Sequence, residues 1–189
     1  MSKFIVETSA RHVHLSQKDI DTLFGAGYQL TNKKDLSQPG QFACEEKVEV
    51  IGPKGSLKMS ILGPARPASQ VEISFSDARA LGLVPPVRES GDTAATPGCT
   101  IKVGDNVVTL DEGVIVAKRH IHMTTADAAA MGLVDKQIVS VKVPSDGREV
   151  IFGDVVVRVS DKYALAMHID TDESNAGCVA PNTMGEIIK

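Results

Sequence analysis

The chain has 189 residues, 42% of them hydrophobic, and a net charge of −4, enough material for one large domain or two small ones. The acidic balance argues against nucleic acid as a principal partner, and no apolar run approaches the roughly 20 residues of a membrane-spanning helix. Only Phe4-Ile5-Val6 follows Met1-Ser2-Lys3 before polar residues return, so no secretory signal is expected and the expected compartment is the cytoplasm. The cysteines Cys44, Cys99 and Cys178 are odd in number and form no C-x-x-C pair. They read as reduced thiols acting as small hydrophobes.

Taken in chain order, the apolar stretch Phe4 to Val6 predicts a short strand. It runs into Ser9-Ala10-Arg11-His12-Val13-His14-Leu15-Ser16-Gln17-Lys18-Asp19. Ser16 with Asp19 three residues on is a helix-start signature, and Gly25 suits a left-handed cap at the helix end. Lys47-Val48-Glu49-Val50-Ile51 alternates as a strand does, meets the turn Gly52-Pro53-Lys54-Gly55, and predicts a hairpin. Gly63-Pro64-Ala65-Arg66-Pro67 predicts an irregular loop around one arginine. Val71-Glu72-Ile73-Ser74 follows, and Ser74-x-x-Asp77 starts a short helix ended near Gly82. The segment from Pro85 to Gly98 is rich in Pro, Gly, Ser and Thr and is the expected domain boundary.

The second half repeats the first. Val114 to Ala117 predicts a strand, and Ala117-Lys118-Arg119-His120-Ile121-His122-Met123-Thr124-Thr125-Ala126-Asp127 matches the earlier motif. A helix to Gly132, a hairpin turning at Pro144-Ser145-Asp146-Gly147, and Met167-His168-Ile169-Asp170 follow in the same order. Glu89-Ser90-Gly91 echoes Glu173-Ser174-Asn175. Internal repetition on this scale predicts duplication. The expected fold is mainly β with short helices, as two similar β-barrel domains, 1–92 and 93–189, whose termini are free to cross. The helices are too few to cover both faces of a single parallel sheet.

All five histidines lie in the repeats. In extended chain, residues i and i+2 face one side, so each His-x-His offers two imidazoles to one point. The repeat supplies a third ligand to each: Glu72 in the first half, His168 in the second. The expected metal sets are His12, His14 and Glu72, then His120, His122 and His168. Such donors suit zinc, with cobalt, manganese or iron as alternatives. No cysteine lies beside either motif, which favours open, catalytic sites over closed structural ones.

Each motif also enters a helix N-terminus, where an anion is stabilised. Arg66, close in sequence to Glu72, is suited to forked recognition of phosphate. Arg11 and Arg119 alternate with the histidines and are expected in structural ion pairs. Ser90 has no free histidine to activate it and reads as a phosphate-binding loop hydroxyl. No Walker loop, dinucleotide fingerprint or nucleophile elbow is present. A metal-dependent transferase, a zinc hydrolase of thioesters or phosphoesters, and a non-enzymatic zinc-stabilised scaffold all fit these residues.

Arg-His-x-His-Leu-Ser, Gly-Pro-Ala-Arg-Pro, Val-Glu-Ile-Ser and Arg-His-Ile-His-Met-Thr together resemble the phosphate propanoyltransferases, a phosphotransacylase family. The resemblance runs from about Phe4 into the C-terminal region. It implies two β-barrel domains with a dinuclear zinc site at their junction, ligated by the two sets above. It implies interconversion of acyl-CoA (propanoyl-CoA or acetyl-CoA) plus phosphate with acyl phosphate plus coenzyme A. By the same match Arg66 is the catalytic, phosphate-binding arginine, and Ser90 and Gly177 are further phosphate contacts. The resemblance also implies propanediol degradation and association with bacterial microcompartments, although the encapsulation peptide of many members has no counterpart before Arg11. A homodimer is the expected assembly, because symmetric dimers are common.

Overall fold

The computed structural model describes residues 3–188. In chain order the first elements are β1 (Lys3–Thr8), β2 (His12–His14), α1 (Gln17–Phe24), β3 (Asn32–Asp35), β4 (Phe42–Gly52) and β5 (Gly55–Gly63). Then come β6 (Gln70–Glu72), α2 (Phe75–Leu81), β7 (Val87–Arg88), β8 (Cys99–Val103), β9 (Asn106–Leu110) and β10 (Val114–Ala117). The second motif opens β11 (His120–Met123), followed by α3 (Thr125–Met131), β12 (Ile138–Val143) and β13 (Val150–Val159). The last elements are β14 (Ala166–Ile169), α4 (Thr171–Ala176) and β15 (Met184–Ile188). The protein is mainly β with short helices, as expected from its short alternating strands. Among the described residues no helix is long and apolar enough to cross a membrane.

The strands form two compact units. One takes the described residues up to Ala10, the segment Ser37–Pro39, and the described residues from Lys118 onward. It is a closed barrel in the order β1-β14-β11-β13-β12-β15, with β1 and β15 pairing antiparallel to complete the ring. Phe4, Val6, Ile121, Met123, Val141 and Met167 fill its core.

The other unit holds Arg11–Leu36 and Gly40–Ala117. It is a nine-stranded sheet in the order β7-β10-β6-β2-β5-β4-β8-β9, with β3 on β4. Val13, Leu15, Met59, Ile61, Val71 and Leu81 lie in its core. No ladder joins β8 to β10 among the described residues, so this sheet stays open where the barrel closes.

The pairing reveals the duplication and one exchange. β2 lies between parallel β5 and antiparallel β6, and β11 lies between parallel β13 and antiparallel β14. β10 runs parallel to β6 as β1 runs parallel to β14. The strand preceding each His-x-His in the chain therefore belongs to the other unit's sheet. The units accordingly differ from a division of the chain near residue 92. Pro85 to Gly98 lies inside the open-sheet unit, where Val87 and Arg88 pair with β10.

Local chemistry sets the helix starts. Ser16, Ser74, Thr124 and Asp170 are N-caps, each accepting the backbone N–H three residues on. In α2, α3 and α4 the acidic residue at that third position returns the bond. In α1, Asp19 instead accepts from the hydroxyls of Ser16 and Ser69. Gly132 ends α3 in the left-handed conformation, whereas Gly25 has positive φ with extended ψ, so only the first is the cap expected.

Candidate metal and anion site

β2 presents His12 and His14 on one face, and antiparallel β6 puts Glu72 directly opposite His12. All three are buried. His12 Nε2 lies 3.2 Å from His14 Nε2, and Glu72 carboxylate oxygens lie 3.6 Å from His12 and 3.8 Å from His14. His14 Nδ1 pairs with the Leu62 carbonyl at 3.1 Å. A neutral His14 that donates there turns the lone pair of Nε2 toward the cluster. Burial first, then the neighbouring His12 and Arg66 charges, pushes His14 down to about 3. Burial alone would raise Glu72, but His12, His14, the Ser90 hydroxyl and Arg66 hold it at about 2. At neutral pH His14 is thus neutral and Glu72 ionised. Electron-rich atoms converging this closely in a buried space fit a cation.

β11 and β14 build the second cluster by the same register, with His168 directly opposite His120. The ring centroids of His120, His122 and His168 are 4.5 to 5.3 Å apart. His120 Nδ1 pairs with the Lys118 carbonyl at 2.8 Å. His122 Nδ1 and His168 Nδ1 are buried without a hydrogen-bond partner. Such orphaned ring nitrogens suit a metal that would take their lone pairs. Burial, then His120, His168 and Arg158, push His122 down to about 2. In each triplet the donor atoms lie within 4.8 Å of one another, so each could hold one ion.

Arg66 reaches the first cluster by two anchors. Its backbone N–H donates to the Leu15 carbonyl, one residue past His14, and its Nη1 donates to Ser90 Oγ at 2.9 Å. Ser90 Oγ in turn donates to Glu72 Oε1 at 2.7 Å. Gln70 Nε2 donates to Ser90 Oγ at 2.8 Å and to Glu72, while Gln70 Oε1 accepts from Gly91 N–H. The structure therefore brings Arg66, Ser90 and Glu72 together. Gly177 lies in the barrel unit at the end of α4, packed so that a Cβ would meet Val150 and Val179.

Arg11 and Arg119 do enter ion pairs, with Asp77 at 2.8 Å and with Glu173 at 2.7 Å. Asp77 and Glu173 occupy the third position of α2 and α4. Glu173 thus corresponds to Asp77 and not to Glu89, which corrects the echo between Glu89-Ser90-Gly91 and Glu173-Ser174-Asn175. The helix start, a short-range signal, overrides a chance match of three residues.

The family model for phosphate propanoyltransferase matches residues 5–180. The chain belongs to the phosphate propanoyltransferase family. It is an acyltransferase. A relative from Enterococcus faecalis, named phosphate propanoyltransferase, is 57% identical over 98% of this chain and 88% of its own length. Relatives of the same name from Listeria monocytogenes and Thermotoga maritima are 53% and 50% identical. They cover 97% and 98% of this chain, and 86% and 89% of their own lengths.

Sequence reasoning missed four residues around these clusters of the phosphate propanoyltransferase fold. Gln70 clasps Glu72 and Ser90. Tyr163 packs its ring 4.2 Å from His122, and Arg158 donates to the Tyr163 hydroxyl at 3.3 Å. Glu7 Oε2 lies 3.1 Å from His168 Nε2. For Gln70, the available signal is the strand period, since it lies two residues before Glu72 on the same face.

Proposed function

We propose that the chain interconverts a short acyl-CoA plus phosphate with acyl phosphate plus coenzyme A, using two metal ions, one in each cluster. The observation that carries this reading is the Arg66–Ser90–Glu72 chain of hydrogen bonds, which joins a guanidinium suited to an anion to a carboxylate suited to a cation. His12, His14 and Glu72 would hold one ion, and His120, His122 and His168 the other. Neutral imidazoles favour a borderline ion, and zinc is proposed over cobalt, manganese or iron. When bound, the ions supply Lewis acidity toward a carbonyl oxygen and positive charge for a thiolate.

Arg66 is suited to hold two phosphate oxygens in a planar fork, which turns another of the four toward the acyl carbon. Holding the two reactants together supplies orientation. A phosphate oxygen bonds to the thioester carbon, the C–S bond breaks, and coenzyme A departs as thiolate. Ser90 is a phosphate contact and not a nucleophile, because its hydroxyl donates to Glu72, a carboxylate too weakly basic at about 2 to take its proton. Acetyl and propanoyl groups differ by one methylene, which a pocket distinguishes only modestly, by about 1–3 kcal/mol.

The test is release of free thiol from propanoyl-CoA by zinc-loaded protein, with and without phosphate, beside a chelated control. Release that needs both phosphate and metal supports the proposal. Release without phosphate replaces it with a thioester hydrolase, and stoichiometric metal without turnover replaces it with a zinc-stabilised scaffold.

A further inference from the structure

Glu7 sits on β1 directly beside His168 on β14. Its Oε2 lies 3.1 Å from His168 Nε2, and the same oxygen accepts from the Ser37 hydroxyl. Ser37 is fixed by its neighbour. The buried Gln38 amide donates to the Ala164 carbonyl at 2.9 Å and accepts from the Ala164 N–H at 3.2 Å. A chain of contacts therefore runs from the Ala164 backbone through Gln38 and Ser37 to Glu7 and the His168 ring. On the other side of that ring, Nδ1 is buried and has no partner.

The repeat gives this pair a meaning. In the barrel, Glu7 and His168 are register partners on β1 and β14. In the open sheet the same two positions, on β10 and β6, hold Ile115 and Glu72. Ile115 is fully buried. One unit thus has a carboxylate ligand beside an apolar neighbour, and the other has an imidazole ligand beside a carboxylate. Each cluster keeps one carboxylate, moved from the ligand position to the position behind it. A ligating histidine commonly donates its second ring N–H to a carboxylate, which fixes its tautomer and raises its basicity.

We propose that Glu7 is the positioning residue of the barrel metal site: it holds the proton of His168 on Nε2 and so presents the Nδ1 lone pair to the ion. This rests on the two-metal reading above. Glu7 touches neither substrate nor ion and acts through His168. Its carboxylate also balances the charge of the all-histidine set, as Glu72 does in the other.

The experiment uses the full chain, stripped with chelator and titrated with zinc against a chromophoric indicator and with cobalt by absorption. Wild type is expected to take two ions. Glu7→Ala should weaken one of them by about ten- to a hundredfold and leave the other unchanged. Glu7→Gln, whose amide oxygen still accepts from Nε2–H, should recover part of the loss. Ser37→Ala should weaken the same ion less. Wild type that binds two ions beside a folded Glu7→Ala protein that binds both equally well overturns the role of Glu7 alone. Wild type that binds none overturns the two-metal reading, and this inference with it. Should Glu7→Ala fail to fold, wild-type affinity and an unchanged cobalt spectrum in both Glu7→Gln and Ser37→Ala overturn the proposal.

Discussion

Arg66 donates to Ser90 Oγ across 2.9 Å, and that hydroxyl donates its own hydrogen bond to Glu72. The serine therefore spaces a cation from an anion. Arg66→Ala is expected to lower kcat/KM for phosphate by about a hundredfold or more, the range seen when one transition-state donor is lost. Ser90→Ala should cost less, because Gln70 still supports Glu72. Steady-state kinetics with phosphate varied, beside metal analysis showing both variants fully loaded, checks this. Near-normal turnover by Arg66→Ala removes it from the mechanism.

The two triplets share no residue, so on the two-metal proposal they should empty one at a time. His122→Ala is expected to bring the metal content from two ions per chain to one, and His14→Ala to do the same. The double variant should bind none tightly. Elemental analysis after gel filtration reads the outcome. Loss of both ions from either single variant would mean that the clusters do not bind independently.

Acid should weaken the metal-free protein. His14 and His122 are pushed from the usual 6.5 to about 3 and about 2, so the unfolded chain binds protons in a range where the folded chain does not. Stability contributed by their neutral form is complete above pH 6.5 and is lost as pH falls toward 3 and 2. Glu72, held at about 2 against 4.5, acts in the same direction below pH 4.5. Thermal melts of chelated protein should show Tm falling steadily below pH 6.5, with a shallower fall for His122→Leu. A flat profile between pH 6.5 and 4 contradicts this.

The cysteines should differ in reactivity. Burial pushes Cys44 up to about 11 and Cys99 up to about 12, while Cys178 is exposed. At pH 8 a disulfide reagent should titrate one thiol quickly and the two buried ones far more slowly, because burial both shields them and disfavours their thiolates. Cys178→Ser should abolish the fast phase. A fast phase that survives would mean another thiol is accessible.

Much of the site was legible because its parts obey short periods. His12 with His14, and His120 with His122, follow from the two-residue period of a strand. Glu72 and His168 follow from matching the repeats, and the structure puts each opposite the first histidine of its motif. The helix caps at Ser74 and Thr124 are local as well. Glu7 carried no such signal. Its repeat counterpart is Ile115, an ordinary core residue, and the strand that bears it pairs with residues near the far end of the chain. A crossing of the N-terminal strand was allowed for, but the matching placement of β10 was hidden, since both are short apolar strands before the same motif. Nothing local distinguishes a strand that pairs with its own half from one that pairs with the other.

The exchange bears on how the protein is made. Of the described strands β1 leaves the ribosome first, yet its partners β14 and β15 come after all the others. The nascent chain must keep Phe4 and Val6, two core residues of the barrel, away from premature burial until β14 and β15 have been made. Ring closure over so long a separation is slow. Fragments cut between Ala117 and Lys118 should therefore behave unequally when expressed alone. The shorter piece lacks the strand that closes its barrel and should gain ordered structure, by circular dichroism, only when a peptide spanning Lys3–Thr8 is supplied.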